Sequence, residues 1–492
     1  MTDNCGVLGG AFELQQAALA APAPPLPPTL FTRPPARAVG ALPTPLRGMW
    51  AEQQYTPLPR HVDAELTDGG APVLQTDDPS SDKEQPPSVC YLMAINAFSF
   101  AYSLTAATLG VVILPSESVL LFPESHAVML GVMLGCTGVT QLIGPAVGYQ
   151  SDRSTSVYGR RRPVLVAGAV VACIGCVAMQ ASRQRRWGRM FIVSLTLAAA
   201  GLNTSYASFT ALLPDLVPLH CMGIASGTMA AMSMLGSLCG FTLFGFVLSA
   251  VHAYWVYCVA LLLTVAITCF AAQEKAHTEV LPFRISELVQ AYSIDMVEHS
   301  DFFWVFVTRT FYYMCISLQA FGLFMLRDVQ RVDDPTYFTS VLAMTGQLCA
   351  AAVAVPSGRL SDRWGRKPLV YAACVMMGLV YVGFAVSPPI EWVLVLGVGF
   401  GIGNGMFLSV DYALACDVLP SFQNAAQGLG LWGVSAFLGS TVGPLIAGPL
   451  LAYFGWTASP ERYSPDGYMA LNATGAVYVV FAGFFLRFVN AR

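Results

Sequence analysis

The sequence contains few charged residues. Only 11% of its 492 residues are Asp, Glu, Lys or Arg, whereas 55% are hydrophobic, and the mean hydropathy is +0.59. A soluble globular protein carries about 25% charged residues, so this chain has too few to cover a surface exposed to water. The deficit argues against a soluble domain and indicates a protein of the lipid bilayer.

Several functional patterns are also missing. There is no basic stripe of the kind that phosphate contacts require, which argues against nucleic-acid binding. There is no P-loop, HExxH or GxSxG, so ATP-driven pumping and these hydrolytic chemistries lack their machinery. The CxxC of Cys173 and Cys176 lies inside an apolar run, where helix packing is favoured over metal or redox chemistry. We therefore expect no enzyme activity, no cofactor and no metal site.

Twelve apolar segments follow Cys90, and each is close to the roughly 20 residues that a helix needs to cross a bilayer. Backbone groups in lipid must be satisfied within the segment, and the alternating pattern of a membrane β-barrel is absent. The predicted helices are 90–113, 126–147, 163–182, 189–213, 223–249, 252–272, 302–325, 338–357, 368–387, 391–415, 426–453 and 467–489. The predicted fold class is an all-α membrane protein.

Composition divides the chain into four regions. Residues 1–88 are proline-rich and acidic, which predicts a disordered cytosolic tail. Residues 89–272 and residues 302–492 hold six apolar segments each, and residues 273–301 form a central cytosolic loop between them. We therefore predict two six-helix bundles.

The basic residues of the loops set the predicted orientation. An even number of segments puts both termini on one side, and counting Lys and Arg assigns that side to the cytosol. The loop between the third and fourth segments violates the rule, because it holds Arg183, Arg185, Arg186 and Arg189. We predict an integral multi-pass protein with cytosolic termini, with the plasma membrane favoured over an organellar membrane.

The two sets of six segments share a charged motif. The first copy, after the second segment, is Gly148-x-x-x-Asp152-Arg153 followed by Gly159, Arg160 and Arg161. The second copy, after the eighth segment, is Gly358-x-x-x-Asp362-Arg363 followed by Gly365 and Arg366. A further match joins the ends of the fourth and tenth segments, where Asp215 corresponds to Asp417. Two matches in the same order indicate an internal duplication.

The residue types of the motif suggest a role. A glycine near a helix end lets a neighbouring helix approach closely, and the aspartate can accept hydrogen bonds from arginine or cap a helix N-terminus. A single copy would be only a topology anchor. Because the pattern occurs twice, we predict a latch that holds the two bundles together on one side and releases them in another state.

The repeated pattern resembles the inner loops of the major facilitator superfamily, and the resemblance covers residues 90–492. It implies two six-helix bundles, a central cavity lined by helices 1, 4, 7 and 10, alternating access, and a cytosolic latch formed by the motif residues. Six residues separate Asp152 from Gly159. This longer first copy is similar to the sucrose-transporter and glycoside–pentoside–hexuronide:cation symporter branch.

Two ionisable residues lie inside apolar segments, where such groups are costly and mark functional candidates. Arg309 is in the seventh segment and Asp411 in the tenth, so an ion pair between them is feasible. Two interpretations stay open, namely a pair that only fixes helix packing and a role in gating or cation coupling. Glu117 is assigned to the first outer loop, so no acid is predicted inside the first six segments.

Polar residues at helical spacing mark candidates for the cavity lining. They are Asn96, Ser103, Asn203, Tyr206, Tyr312, Gln319 and Asn404. Amide and hydroxyl groups suit an uncharged, polyhydroxylated solute, although Ser and Thr often bond back to their own helix.

These features together predict a monomeric secondary active transporter that moves a small polar solute across a lipid bilayer by alternating access. A sugar or glycoside is favoured as the solute and a proton as the coupling ion. The alternatives are an uncoupled facilitator and a solute sensor without net flux.

Overall fold

The computed structural model of the protein describes residues 87–217, 221–274, 299–418, 425–457 and 462–490. The predicted tail lies outside the described residues except for its last two positions. The predicted central loop is described only at its two ends.

The described residues form helices and no β-strand. Labelled in chain order, they are α1 (Val89–Ile95, Ala97–Thr108, Leu109–Ile113 and Leu114–Leu121), α2 (His126–Val139, Thr140–Leu142 and Ile143–Asp152), α3 (Arg162–Gln184), α4 (Gly188–Leu216), α5 (Met222–Thr242 and Leu243–Val247), α6 (Ala253–Ala271), α7 (Ser300–Ser317, Leu318–Phe321 and Gly322–Asp328), α8 (Pro335–Trp364), α9 (Arg366–Ala385), α10 (Ile390–Asp417), α11 (Ala425–Phe454) and α12 (Pro465–Leu486). Each predicted apolar segment corresponds to one of these helices.

Eleven of the described helices are long and apolar enough to cross a membrane. The remaining one, α7, is interrupted by a 3₁₀ turn at Leu318–Phe321, and its segment Ser300–Ser317 contains several polar residues besides Arg309. Its helical residues nevertheless run from Ser300 to Asp328. The all-α membrane fold predicted from the apolar segments is confirmed.

Several helices end later than their apolar runs predict. The last turns of α2 and α8 contain Asp152 and Asp362, so half of each charged motif is helical rather than in a loop. The first helix continues to Leu121, well beyond its predicted end at residue 113. Hydropathy marks only the part of a helix in the hydrocarbon core, whereas the helix itself continues into the headgroup region where charged side chains are solvated.

Small residues set the packing inside the first half, α1–α6. A Cβ at Gly175 or Gly201 would meet the backbone of α4 or α3, at Ala198 and Ala172 respectively. The two helices can therefore approach backbone to backbone, which is the usual way that membrane helices gain contact without a hydrophobic driving force.

The two halves meet on one side of the membrane. We call the helix ends that carry Asp152 and Asp362 the motif side, and the other ends the opposite side. Gly131 of α2 lies against the Pro444 carbonyl of α11, on the opposite side of the molecule. Such a crossing closes the space between the halves at that end.

The buried core follows the same division. Residues of the first half that join the core of the second half, such as Leu114, Leu130 and Tyr254, come from the opposite-side ends of their helices. Motif-side residues such as Leu92 and Leu213 form a separate cluster within the first half. The structure is therefore closed on the opposite side.

Candidate functional site

Arg161 is the centre of a charged cluster at the motif side of the first half. Its side chain is 7% exposed, and it donates to Ser151 and Asp152 at the end of α2. Its Nε donates to Asp215 Oδ2 of α4 at 3.2 Å. Arg160 adds two more hydrogen bonds to Asp215, at 2.5 and 3.2 Å. The cluster ties the motif to the end of α4.

The second half repeats these contacts. Arg366 lies two residues before a proline, as Arg161 does, and it donates to Ser361 at 2.7 Å and to Asp362. Its Nε donates to Asp417 at 3.4 Å. The two matches found separately in the sequence thus come together in space, because Asp215 and Asp417 are the partners of the motif arginines. Sequence comparison missed this pairing.

The remaining arginines of the motif point elsewhere. The guanidinium of Arg153 lies over the Tyr149 ring, 3.4 Å from its centroid, and Arg363 is exposed.

The observed ion pairs of Arg160, Arg161 and Arg366 each join residues of one half. The described conformation therefore shows the motif groups unlatched, and a bridge between the halves in another state stays a prediction. A Cβ at Gly148 or Gly358 would also meet no described residue within 4 Å, so the described helices do not make the close approach predicted there. Both observations have one cause, since the halves meet on the opposite side.

Glu274 is a member of the first cluster that the sequence did not reveal. Its carboxylate accepts hydrogen bonds from the backbone N–H groups of Arg161 and Arg162 at 3.0–3.1 Å. It therefore neutralises the N-terminus of α3, where the helix dipole favours negative charge. Gly159 precedes these N–H groups in the chain, and its φ of +94° is in the left-handed region that favours glycine. Gly365 has the equivalent φ of +93° in the second half.

The electrostatics of this cluster favour charged arginines. Partial burial opposes the charge on Arg160, but the hydrogen bond from this side chain to Asp215 and the negative charges around it raise its pKa above the ordinary value. Arg160 therefore stays charged at any physiological pH.

Arg309 and Asp411 form a buried ion pair inside the second half. Arg309 Nε donates to Asp411 Oδ2 at 2.7 Å, and both side chains are 5% exposed. The guanidinium also donates to Ser435 of α11 and to the Tyr313 hydroxyl, each at 3.3 Å. The pair thus links α7, α10 and α11, and Asp411 lies about 9 Å from the motif-side end of α10 at 1.5 Å per residue.

Most of the predicted cavity residues connect helices. Asn96 donates to the Ala225 carbonyl at 3.3 Å, Asn203 donates to Thr140 at 2.8 Å, and Tyr312 donates to the Gly403 carbonyl at 3.2 Å. Tyr206 stacks on Tyr102 with ring centroids 4.0 Å apart, and Ser103 is half-buried on α1.

Gln319 and Asn404 do line a cavity, of about 220 Å³. It lies mainly among α7, α8, α9, α10 and α12, and it reaches the first half at Ala107 and Val111 of α1 and Phe241 of α5. None of its described lining residues is charged or comes from α4, although the resemblance implies a contribution from helix 4. The Asn404 Oδ1 atom is buried and has no hydrogen-bond partner among the described residues.

A second buried ion pair was missed by sequence reasoning. Glu117 lies within α1 rather than in a loop, its side chain is 1% exposed, and its Oε1 accepts from Arg183 Nε of α3 at 2.6 Å. The expectation that no acid lies inside the first six segments is therefore wrong. The pair also explains one arginine of the loop that violates the positive-inside rule. The available signal was Arg183 itself, an uncompensated cation on the predicted outer side.

The crossing of α2 and α11 yields a matched pair of predictions. We expect Gly131→Ala to lower the apparent unfolding temperature by several degrees, because the new methyl group overlaps the Pro444 carbonyl and overpacking is destabilising. We expect Gly148→Ala on the same helix to leave it unchanged or slightly higher, since alanine favours helix. Thermal unfolding of both purified variants checks this; equal melting would contradict the described crossing.

The arrangement of the helices defines the class of this protein, and a match to a family model defines its family. The twelve helices that the structure describes, in two similar halves with a closed end, define a polytopic membrane protein of the kind found among secondary transporters. A family model of the Major Facilitator Superfamily matches residues 88–390 and 334–487, which take in all twelve helices. The chain belongs to the Major Facilitator Superfamily.

Curated relatives are similar over short parts of the chain. The methyl viologen resistance protein SmvA of Salmonella typhimurium is 30% identical over 109 residues, which are 22% of each protein. A sucrose transport protein of Oryza sativa subsp. japonica is 26% identical over 137 residues, 24% of this chain and 26% of that protein. These alignments span about a quarter of each relative.

Solved structures are similar over almost their full length. A mutant of the nucleoside transporter NupG aligns with a TM-score of 0.63 and 12% identity, over 81% of this chain and 99% of that one. The D-xylose-proton symporter aligns with a TM-score of 0.59 and 14% identity, over 82% and 98%. At such low identity the likeness shows the fold alone.

Proposed function

We propose that this chain is a secondary active transporter that moves a small, polar, uncharged solute by alternating access. The observation that carries the proposal is an uncharged cavity that lies beneath a closed opposite side and touches both halves. A carrier needs a site between two halves that can be exposed to each side in turn.

The lining favours a sugar or glycoside. A cavity of about 150 Å³ holds benzene, so about 220 Å³ suits one six-membered ring with its hydroxyl groups. Phe241 and Phe400 offer apolar faces, and Gln319 and Asn404 supply amide groups that can fix hydroxyls. The names of the relatives point in two directions, towards sugars and towards methyl viologen, which is a dication. A dication needs acidic partners, and none is among the described lining residues.

A proton at Asp411 is the proposed coupling ion. Protonation of Asp411 removes its negative charge beside Arg309. This weakens the ion pair that joins α7 and α10. This change can bias the two states of a carrier. An uncoupled facilitator is the alternative, and the two differ in whether a pH gradient alone drives accumulation of solute.

The proposed topology follows from the loop charges. Both termini and the motif side face the cytosol, residues 89–272 and 302–492 move as two units in a monomer, and the plasma membrane is the favoured location. In that orientation the described conformation is closed towards the outside.

Transport is tested in two steps with the purified full-length chain. A thermal-shift screen of sugars, nucleosides and organic acids identifies a ligand, because a ligand in excess of its dissociation constant stabilises the folded state. Counterflow of that ligand in proteoliposomes then separates the hypotheses. Saturable counterflow supports a carrier, whereas binding without flux supports a sensor.

The substrate site yields a separate prediction. We expect Asn404→Leu to raise KM about tenfold, because the lost amide oxygen removes a hydrogen bond worth about 1.4 kcal/mol. Asn203→Leu is the control, since that amide binds Thr140 outside the cavity and should leave KM nearly unchanged. Initial uptake rates over a range of solute concentrations check both, and equal KM values for the two variants would place the solute elsewhere.

A further inference from the structure

Hydrogen bonds join the two halves on the opposite side around one histidine. His126 is the first residue of α2 and is fully buried. Its Nε2 lies 3.0 Å from Arg327 Nη2 at the end of α7. The next backbone N–H, of Ala127, donates to the Tyr463 hydroxyl of the second half at 3.3 Å. These contacts cross the interface where the molecule is closed.

The partners of His126 determine where its hydrogen lies. The ring Nδ1 is 3.0 Å from the Pro123 carbonyl, which can only accept, so Nδ1 carries the hydrogen. The guanidinium of Arg327 can only donate, so Nε2 must be an unprotonated acceptor. The closed contact therefore holds the neutral imidazole.

One carboxylate positions both groups that cross the interface. The side chain of Asp328 is fully buried and accepts from Arg327 Nε at 2.6 Å. It also accepts from the Tyr463 backbone N–H at 3.1 Å and from the Tyr468 hydroxyl at 2.6 Å. Asp328 thus holds Arg327 in place when His126 changes charge. Arg327 cannot move with His126 or away from it without breaking the hydrogen bond to Asp328.

We propose that His126 is a proton-binding site that senses pH on the opposite side, and that proton binding opens this side. The inference rests on the proposed transport cycle, because alternating access requires this side to open. A proton on Nε2 removes the acceptor and leaves an imidazolium 3.0 Å from the guanidinium of Arg327. Two like charges at this distance in a partly dry site repel each other strongly.

The surrounding groups set the pH range. The charged side chains that face the ring from α7 are Arg327 and Asp328, and Glu124 on its own segment is exposed. Tyr463 packs on the ring from the segment before α12, with centroids 4.6 Å apart. Burial raises the pKa of Tyr463, so this phenol does not titrate near neutrality, and Tyr468 lies behind Asp328.

The sign of the effect follows from the neutral ring in the closed state. Histidine changes charge between about pH 5 and pH 8. The closed contact is complete at the upper end of this range and is lost as the pH falls. One proton can change the ratio of open to closed molecules by at most about tenfold per pH unit.

Distance measurements across the opposite side test the inference. Spin labels replace Glu124 and Asp333, which are exposed residues of the two halves, through a ketone-bearing amino acid that leaves the native cysteines intact. In nanodiscs, we expect a longer distance to gain population as the pH falls from 8 to 5. His126→Gln should keep the short distance at every pH, because its amide oxygen accepts from Arg327 but does not titrate. His252→Gln, at an exposed histidine before α6, should keep the response.

Two results overturn the inference, namely a distance in the parent protein that does not change with pH and a response that survives in His126→Gln. If His126→Gln does not fold, Arg327→Gln takes its place. Without the cation, the change in the ratio of open to closed molecules should fall below about twofold per pH unit, compared with the limiting value of about tenfold. An undiminished response in that variant also overturns the proposal. The measurement needs no solute, so a pH-dependent distance without uptake would contradict only the transport function. Uptake with a pH-independent distance would contradict only the sensor.

Discussion

Asp411→Asn is expected to lose both stability and proton-dependent uptake. The Arg309 guanidinium then lies in the membrane with 5% exposure and without the Asp411 carboxylate at its Nε. Breaking a buried ion pair by removing one partner costs about 3–5 kcal/mol. The Ser435 and Tyr313 hydroxyls, at 3.3 Å, accept from the guanidinium but do not supply a negative charge.

The double variant Arg309→Gln/Asp411→Asn separates packing from coupling. Replacing both partners leaves no unpaired charge, so we expect most of the lost stability to return. If the pair only fixes helix packing, the double variant also regains uptake with the parental pH dependence. If Asp411 carries the coupling proton, the double variant folds and uptake no longer follows the pH gradient. Full uptake with unchanged pH dependence in Asp411→Asn itself would exclude Asp411 as the coupling group.

Arg161→Ala is expected to destabilise the protein by about 2 kcal/mol, the scale of hydrogen bonds to charged groups in a partly solvated cluster. The substitution leaves Ser151, Asp152 and Asp215 without their shared donor, and the Arg161 side chain is only 7% exposed. Arg161→Lys should recover less than half of the loss, because one ammonium cannot reproduce the planar fork that reaches three partners on two helices.

Arg366→Ala is the matched control from the duplicated half. Arg366 has the same three kinds of partner, but its side chain is 23% exposed and Asp362 is 65% exposed. Solvent screens such pairs, which are worth about 1 kcal/mol or less. Thermal unfolding of both variants in one detergent measures the difference. Equal losses would show that burial does not set the strength of these two clusters.

Parts of the candidate site could be predicted from the sequence because their signals are local. Arg309 and Asp411 are charged residues inside apolar segments, and ionisable residues within a membrane usually pair with one another. The motif arginines were recognisable from their repeated spacing. Asp215 and Asp417 were recognised as a repeat, but their role as partners of Arg161 and Arg366 depends on how the end of α4 or α10 packs against the preceding hairpin.

Other parts could not be predicted because polar residues at a helix end resemble a loop. Glu117, Arg327 and Asp328 lie beyond the apolar stretches of α1 and α7, where hydropathy no longer distinguishes buried groups from solvated ones. His126 begins a segment and has no unusual neighbours in the sequence. Glu117, Asp328 and His126 are buried, and Arg327 is partly buried, because the other half of the molecule or a neighbouring helix covers that end.

The sequence by itself determined that this protein is an all-α membrane protein, and it predicted twelve apolar helices in two similar halves. The physical reason is that the cost of exposing backbone groups to lipid acts on each segment alone. Only the tertiary structure decided that the motif clusters stay within one half, that Gln319 and Asn404 reach the cavity while Tyr312 does not, and that the opposite side is closed at His126. These outcomes depend on the rotation and crossing of helices, because a rotation of one helix changes which side chains meet across an interface.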